Sequence, residues 1–230
     1  MTHISSKKTR AKRIINRLKS DTSGVAMIEF AIALPFLLTL TLGGLEFTNI
    51  ALSNMRISQI AMMVSDNAGR VRTSIDELDV NEVMVGARFA GTDLQLGTHG
   101  RVILSSFESN GQAGANAGNV IRWQRCFGAK NELSSYGVEG DGATTASMAT
   151  GMGPTGQRIL PVPGTALMFT EIVYDYQHLI PNLFTEAIFP NRTLRYTAAF
   201  TVRERANNAL NNFSGLPLSG QRRCGTFSAT

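Results

Sequence analysis

Residues 25–45 are apolar apart from Glu29, Thr39, Thr41 and the pair Gly43 and Gly44, and no other stretch of the 230-residue chain resembles them. As a helix rising about 1.5 Å per residue, this run spans roughly 32 Å, which is the thickness of a bilayer core. Glu29 is the anomaly within it. A charged side chain deep in a membrane helix costs about 2.5–3.5 kcal/mol, so an acid there implies a compensating partner. Pro35 also sits inside the run; membrane helices accept a proline where neighbouring groups re-satisfy the freed carbonyl.

The charge distribution orients this segment. Lys7, Lys8, Arg10, Lys12, Arg13, Arg17 and Lys19 precede it without an acid, whereas residues 21–230 hold 15 basic against 17 acidic side chains, so the net charge of +5 lies entirely in the tail. A basic patch on a folded domain would indicate a polyanion partner. A basic tail directly before an apolar run instead follows the positive-inside rule, placing the N-terminus in the cytoplasm and the remainder outside. No nucleic-acid partner is expected. Residues 7–19 read either as a short basic helix lying on anionic inner-leaflet lipid, with Ile14, Ile15 and Leu18 on one side, or as a plain tail. A cleaved secretory signal is disfavoured, because the run is too long and lacks a clear small-x-small site.

Beyond the run the helical pattern continues through Ile50, Leu52, Ile57, Ile60, Ala61 and Val64 to about Gly69. A second helix is expected over Ser74–Phe89, with Ser74 and Glu77 at capping-box spacing and Val80, Val83, Met84 and Ala87 on one face. After Gly91 the texture changes to strands at Arg101–Phe107, Val120–Phe127, Thr165–Gln177 and Thr193–Arg203, separated by glycine-rich loops that include residues 131–158. The last strand alternates, which predicts a sheet packed on one face and wet on the other. The expected organisation is a 1–24 basic cytoplasmic leader, a 25–47 transmembrane helix, a 48–90 helical extension with a second helix, and a 91–230 periplasmic antiparallel-sheet domain. The fold class is α+β.

Catalytic signatures are missing from the sequence. Gly151-Met152-Gly153-Pro154-Thr155-Gly156 lacks the Lys-Ser/Thr and strand-to-helix setting of a phosphate loop. His178 beside Asp175 and Tyr176 stands as a remote candidate base. Glu139-Gly140-Asp141-Gly142 offers too few oxygens for calcium, and His3, His99 and His178 form no metal-ligand spacing. No enzymatic activity, cofactor or metal is therefore expected. Trp123 reads as core, its polar N–H aside. Cys126 and Cys224 are either a disulfide in an oxidising compartment or two buried thiols.

The combination of Gly24, Val25, Glu29, Phe30, Leu34-Pro35, Gly43 and Glu46-Phe47 resembles the TadE/TadF-like pseudopilins of the tight-adherence (Flp) pilus, a type IVc pilus system. The likeness covers roughly residues 20–65, and Trp123-Gln124-Arg125-Cys126 with a late Cys224 also looks like the outer domain of such proteins. The resemblance implies a bacterial inner-membrane, single-pass protein cut by a prepilin peptidase between Gly24 and Val25. Glu29, with Phe30 beside it, would act in assembly by pairing with the new α-amine of Val25 on a neighbouring subunit. The implied partners are other pilus subunits, the Tad assembly machinery, the peptidase and inner-membrane lipid. The remaining residues 25–230 are large for a major pilin, which favours a minor role in pilus assembly. A Cys126–Cys224 disulfide belongs to this reading. The competing reading is a membrane-anchored periplasmic scaffold or binding protein that is neither processed nor incorporated.

Overall fold

The computed structural model describes residues 15–17, 19, 23–179 and 192–230. Most of the expected basic helix over 7–19 lies outside them. The chain divides into two units, Met1–Phe47 and Thr48–Thr230. A single helix, α1 (Ser23–Arg70), runs through the division, with Pro35 inside it. The hydroxyls of Thr39 and Thr41 donate to the carbonyls of Pro35 and Leu37, both at 2.7 Å. Such bonds back onto the preceding turn leave neither hydroxyl seeking a partner in apolar surroundings.

The second unit is mixed α and β. After α1 come β1 (Thr73–Asp76), α2 (Glu77–Ala90), a short α3 (Leu96–His99), β2 (Gly100–Ser109), β3 (Asn119–Phe127), β4 (Ala166–Asp175), β5 (Thr193–Thr201) and β6 (Arg205–Asn211). Four strands form one sheet in the order β3-β2-β4-β5, and β1 pairs with β6 in another. The four-stranded sheet is antiparallel throughout; Leu104 lies opposite Arg125 on one side and Thr170 on the other. The β1–β6 pair is parallel, with Ile75 opposite Leu210. Neither short strand carries enough alternation to be found by pattern.

Successive residues of a strand face opposite ways, and β2 and β4 use both faces. Val102, Leu104, Met168, Ile172 and Tyr174 point to the side where Ile57, Ile60, Ala61, Val64 and Ala68 of α1 pack with Val80, Met84 and Ala87 of α2. A buried bond from Ser65 Oγ to Thr170 Oγ1, at 2.6 Å, crosses this helix–sheet layer. On the other side Phe107, Ile121, Leu167 and Phe169 form a smaller core roofed by Tyr136, Met148 and Met152. The expected wet face is thus covered. The loops of residues 131–158 supply those three apolar side chains, and Tyr136 meets Phe169 edge-on at 5.4 Å between ring centroids. The alternation of β5 reflects its place at the sheet edge instead, and Tyr196 is 36% exposed.

The end of α1 is held from a distance in sequence. Arg205 donates from Nε to the Val71 carbonyl at 3.1 Å and from Nη2 to the Ala68 carbonyl, and the Arg203 N–H reaches the Gly69 carbonyl at 3.2 Å. A cation at the negative end of a helix satisfies carbonyls that have no intrahelical donor. Burial holds the Arg205 pKa below its ordinary value, with Asp79 acting in the opposite sense.

The cap of the second helix lies two residues later than the Ser74–Glu77 spacing predicts. Ser74 lies in β1, and the cap is Asp76, which exchanges capping-box bonds with Asp79. The Asp76 carboxylate also takes the N–H groups of Phe213 and Ser214 and the Ser214 hydroxyl, tying the turn after β6 to the helix. Burial alone would raise the pKa of this acid, but the Leu78 N–H and then the groups of Ser214 and Phe213 hold it below the usual aspartate value. Because the folded pKa is the lower one, this acid's contribution to stability is present above the unfolded value and is lost as pH falls through the folded one. Asp76→Ala should cost about 1 kcal/mol at neutral pH, as loss of a cap does. It should also flatten the acid limb of stability, and urea midpoints taken between about pH 3 and pH 7 would check both outcomes.

Candidate functional site

Gly24, Val25, Glu29 and Phe30 fall together in the first two turns of α1. A side chain added at Gly24 would meet no neighbour within 4 Å. Val25 and Glu29 are four residues apart and so share a face of the helix, and Glu29 is exposed. Phe30 is 60% exposed, and Met27, Ile32, Phe36 and Leu40 are exposed around the rest of the helix. An apolar surface on every side belongs in lipid or among other helices. Among the described residues, α1 is the one helix long and apolar enough to cross a membrane, which fits a single-pass anchor. At the far end of the run Phe47 is exposed whereas Glu46 is buried.

The chemistry of the second unit is concentrated at β3, far along the chain from these residues. Cys126 and Cys224 are joined by a disulfide across 98 residues, with Cα atoms 4.8 Å apart. Beside it Arg101 is fully buried. Its Nη1 donates to the carbonyls of Gly128 at 2.7 Å and Thr226 at 2.8 Å, and its Nη2 to Cys224 at 2.6 Å. The guanidinium lies 4.3 Å from the centroid of Phe227. Burial pushes the Arg101 pKa down to about 10, which leaves it charged at neutral pH, so backbone carbonyls and a ring face do the work of a counter-ion. Gly128 must be glycine: its φ is +111°, and a Cβ would sit 2.2 Å from the Gly100 carbonyl oxygen.

Arg125, next to the disulfide, points to Glu77 and Glu139. Its Nε lies 3.0 Å from Glu77 Oε2, its Nη2 also bonds Glu77, and its Nη1 reaches Glu139 at 2.9 Å. Burial alone would lower the pKa of Arg125, but the bonds and charge of Glu77, followed by those of Glu139, raise it. The Glu139–Asp141 loop therefore spends its carboxylates internally, Asp141 accepting from the Val138 N–H at 2.8 Å. Trp123 is buried and donates its indole N–H to the Asn208 carbonyl at 3.1 Å, which ties β6 to β3. His178 stacks edge-on against Tyr176 at 5.3 Å. Among the described residues no group of three His, Cys, Asp or Glu side chains could hold a metal ion. Sequence reasoning missed Arg101 and the Arg125–Glu77 pair, because partners 27 or more residues apart leave no spacing to read.

Residues 24–65 match the family model described as TadE-like protein. The chain carries a TadE-like segment. This associates it with the Tad pilus as a membrane protein. The TadE-like match lies wholly within α1, from the glycine at its start to Ser65 on the sheet. No curated protein and no solved structure matches the chain.

The disulfide and Arg101 both hold the segment after Arg222 against β3. Replacing Cys126 and Cys224 together by serine should lower stability by about 2–4 kcal/mol, the usual range for a disulfide. Urea unfolding of the oxidised protein, its reduced form and the double variant would check this; reduction should reproduce the variant.

Proposed function

We propose that the protein is a minor pseudopilin acting in assembly of the Tad (Flp) pilus, anchored by α1 in the bacterial inner membrane with its N-terminus cytoplasmic and its sheet domain periplasmic. The carrying observation is the coincidence of the TadE-like match with a helix that is apolar on every side and exposes one acid, Glu29, near its start. Cleavage between Gly24 and Val25 by a prepilin peptidase supplies what that acid lacks. The new α-ammonium of one subunit meets Glu29 of its neighbour, and opposite charges brought together in a low dielectric satisfy each other and fix axial register. The openness of Gly24 supports access by a peptidase. Phe30, one position further round the helix, packs against the neighbouring helix.

The role is structural rather than catalytic. Glu77, Glu139, Asp175 and Glu132 are engaged with Arg125, Lys130 and Arg195, and these ion pairs support a domain built for rigidity. A domain of this size on each subunit suits a minor, initiating or tip position better than bulk polymerisation. Its partners are pilus subunits, the Tad machinery, the peptidase and membrane lipid.

Two measurements test this. N-terminal sequencing of protein from a host with its peptidase should read Val25 first; a chain starting at Met1 removes processing from the proposal and leaves an anchored scaffold. Glu29→Ala should insert normally yet lose most piliation and adherence, with Glu29→Asp retaining part. Full piliation by Glu29→Ala would reduce Glu29 to an acid that reaches back to the lipid headgroups.

A further inference from the structure

Strand β3 is one edge of the four-stranded sheet, and most of its outward backbone groups are covered by segments that are not strands. Ile121 donates to the Asp141 carbonyl at 3.0 Å and accepts from the Gly140 N–H at 2.8 Å. Further along, the Cys126 N–H donates to the Arg222 carbonyl at 2.6 Å and the Gly128 N–H to that of Ser228 at 3.0 Å. Between these two covers lies Gln124, whose main chain is met by side chains. Its N–H donates to Glu139 Oε2 at 2.9 Å, and its carbonyl accepts from Arg125 Nη1 at 2.7 Å. The same Glu139 oxygen accepts from Arg125 Nη1 at 2.9 Å. One rung of the edge thus holds a carboxylate and a guanidinium where an added strand would place a carbonyl and an N–H.

A cleft of about 410 Å³ opens at this rung. Three of its walls are exposed apolar side chains: Leu133 at 63%, Val138 at 45% and Phe227 at 39%. The disulfide forms part of another wall and fixes it. The carboxylate seat is separable from the fold. The Glu139 side chain is half exposed and can move into water, while Arg125 keeps its buried pair with Glu77 and is not left uncompensated.

We propose that this cleft docks an extended peptide segment of a partner protein, in which an apolar side chain is followed by an acidic residue. The apolar side chain fills the space between Leu133, Val138 and Phe227, and the incoming carboxylate takes the seat made by the Gln124 N–H and Arg125 Nη1. The seat supplies a charge-assisted bond and the apolar walls supply selectivity. Glu139 is then a tethered competitor. It keeps the rung satisfied and must be displaced for docking.

The test uses purified full-length protein in detergent and a fluorescein-labelled Thr-Ser-Val-Leu-Glu-Thr amide, read by fluorescence anisotropy, so its outcome is independent of pilus assembly. Glu139→Ala should tighten binding about tenfold, the scale of one hydrogen bond to a charged group. Glu139→Gln, which preserves shape, should tighten it less. Leu133→Asp, at an exposed wall position, should abolish binding, as should changing the peptide Glu to Lys. Exchange of the Gln124 amide should quicken in Glu139→Ala and slow again with peptide. The proposal is overturned by absence of saturable binding to both Glu139 variants, by equal binding of the Lys peptide, or by indifference to Leu133→Asp. A Gln124 amide that stays protected in Glu139→Ala would equally overturn it, because Glu139 would not be its partner.

Discussion

The packing of Ile57, Ile60, Ala61, Val64 and Ala68 onto the sheet is the contact on which the second unit depends. A helix gains most of its stability in a folded protein from burying one face, and this face is buried completely. Within this layer the Ser65–Thr170 hydroxyl pair selects one register of helix on sheet, because a slipped helix would bury both groups unpaired. The same helix earlier in its length has no such asymmetry. Its residues from Val25 to Leu40 are apolar all round, so the pattern of side chains changes from bilayer-type to sheet-type within one uninterrupted element.

The periodic parts of this architecture were legible in the residues. The α1 stripe, the four long strands and the glycine-rich segments each repeat or break a simple pattern over many positions. What escaped was short or non-local. β1 and β6 are four and seven residues long, and β1 continues directly into the Asp76 cap of α2, so Ser74 looked like a helix start when it is a strand residue. The second core was hidden because Tyr136, Met148 and Met152 are scattered through loops whose glycine content signals only turns. At the candidate site the residues of the helix start could be picked out, since an acid in an apolar run is visible by itself. The cluster of Arg101, Arg125 and Glu77 was not, since nothing in its local sequence marks it.

Arginines connect the pieces of the second unit that hydrophobic packing leaves separate. Arg205 binds the end of α1, Arg125 joins β3 to the start of α2 through Glu77, and Arg101 gathers the carbonyls around Cys224. Each is a long-range tie between elements. Removing one member of the buried Arg125–Glu77 pair is costly in a way that replacing both need not be.

The covering of β3 by residues 222–228 has a consequence for how the chain matures. That cover is synthesised about a hundred residues after β3 and its sheet neighbour β2. For that interval the nascent sheet presents an open margin able to recruit any passing strand. Closure of the Cys126–Cys224 bond then seals the margin, so completion of the domain waits for residues 222–228 and for an oxidant.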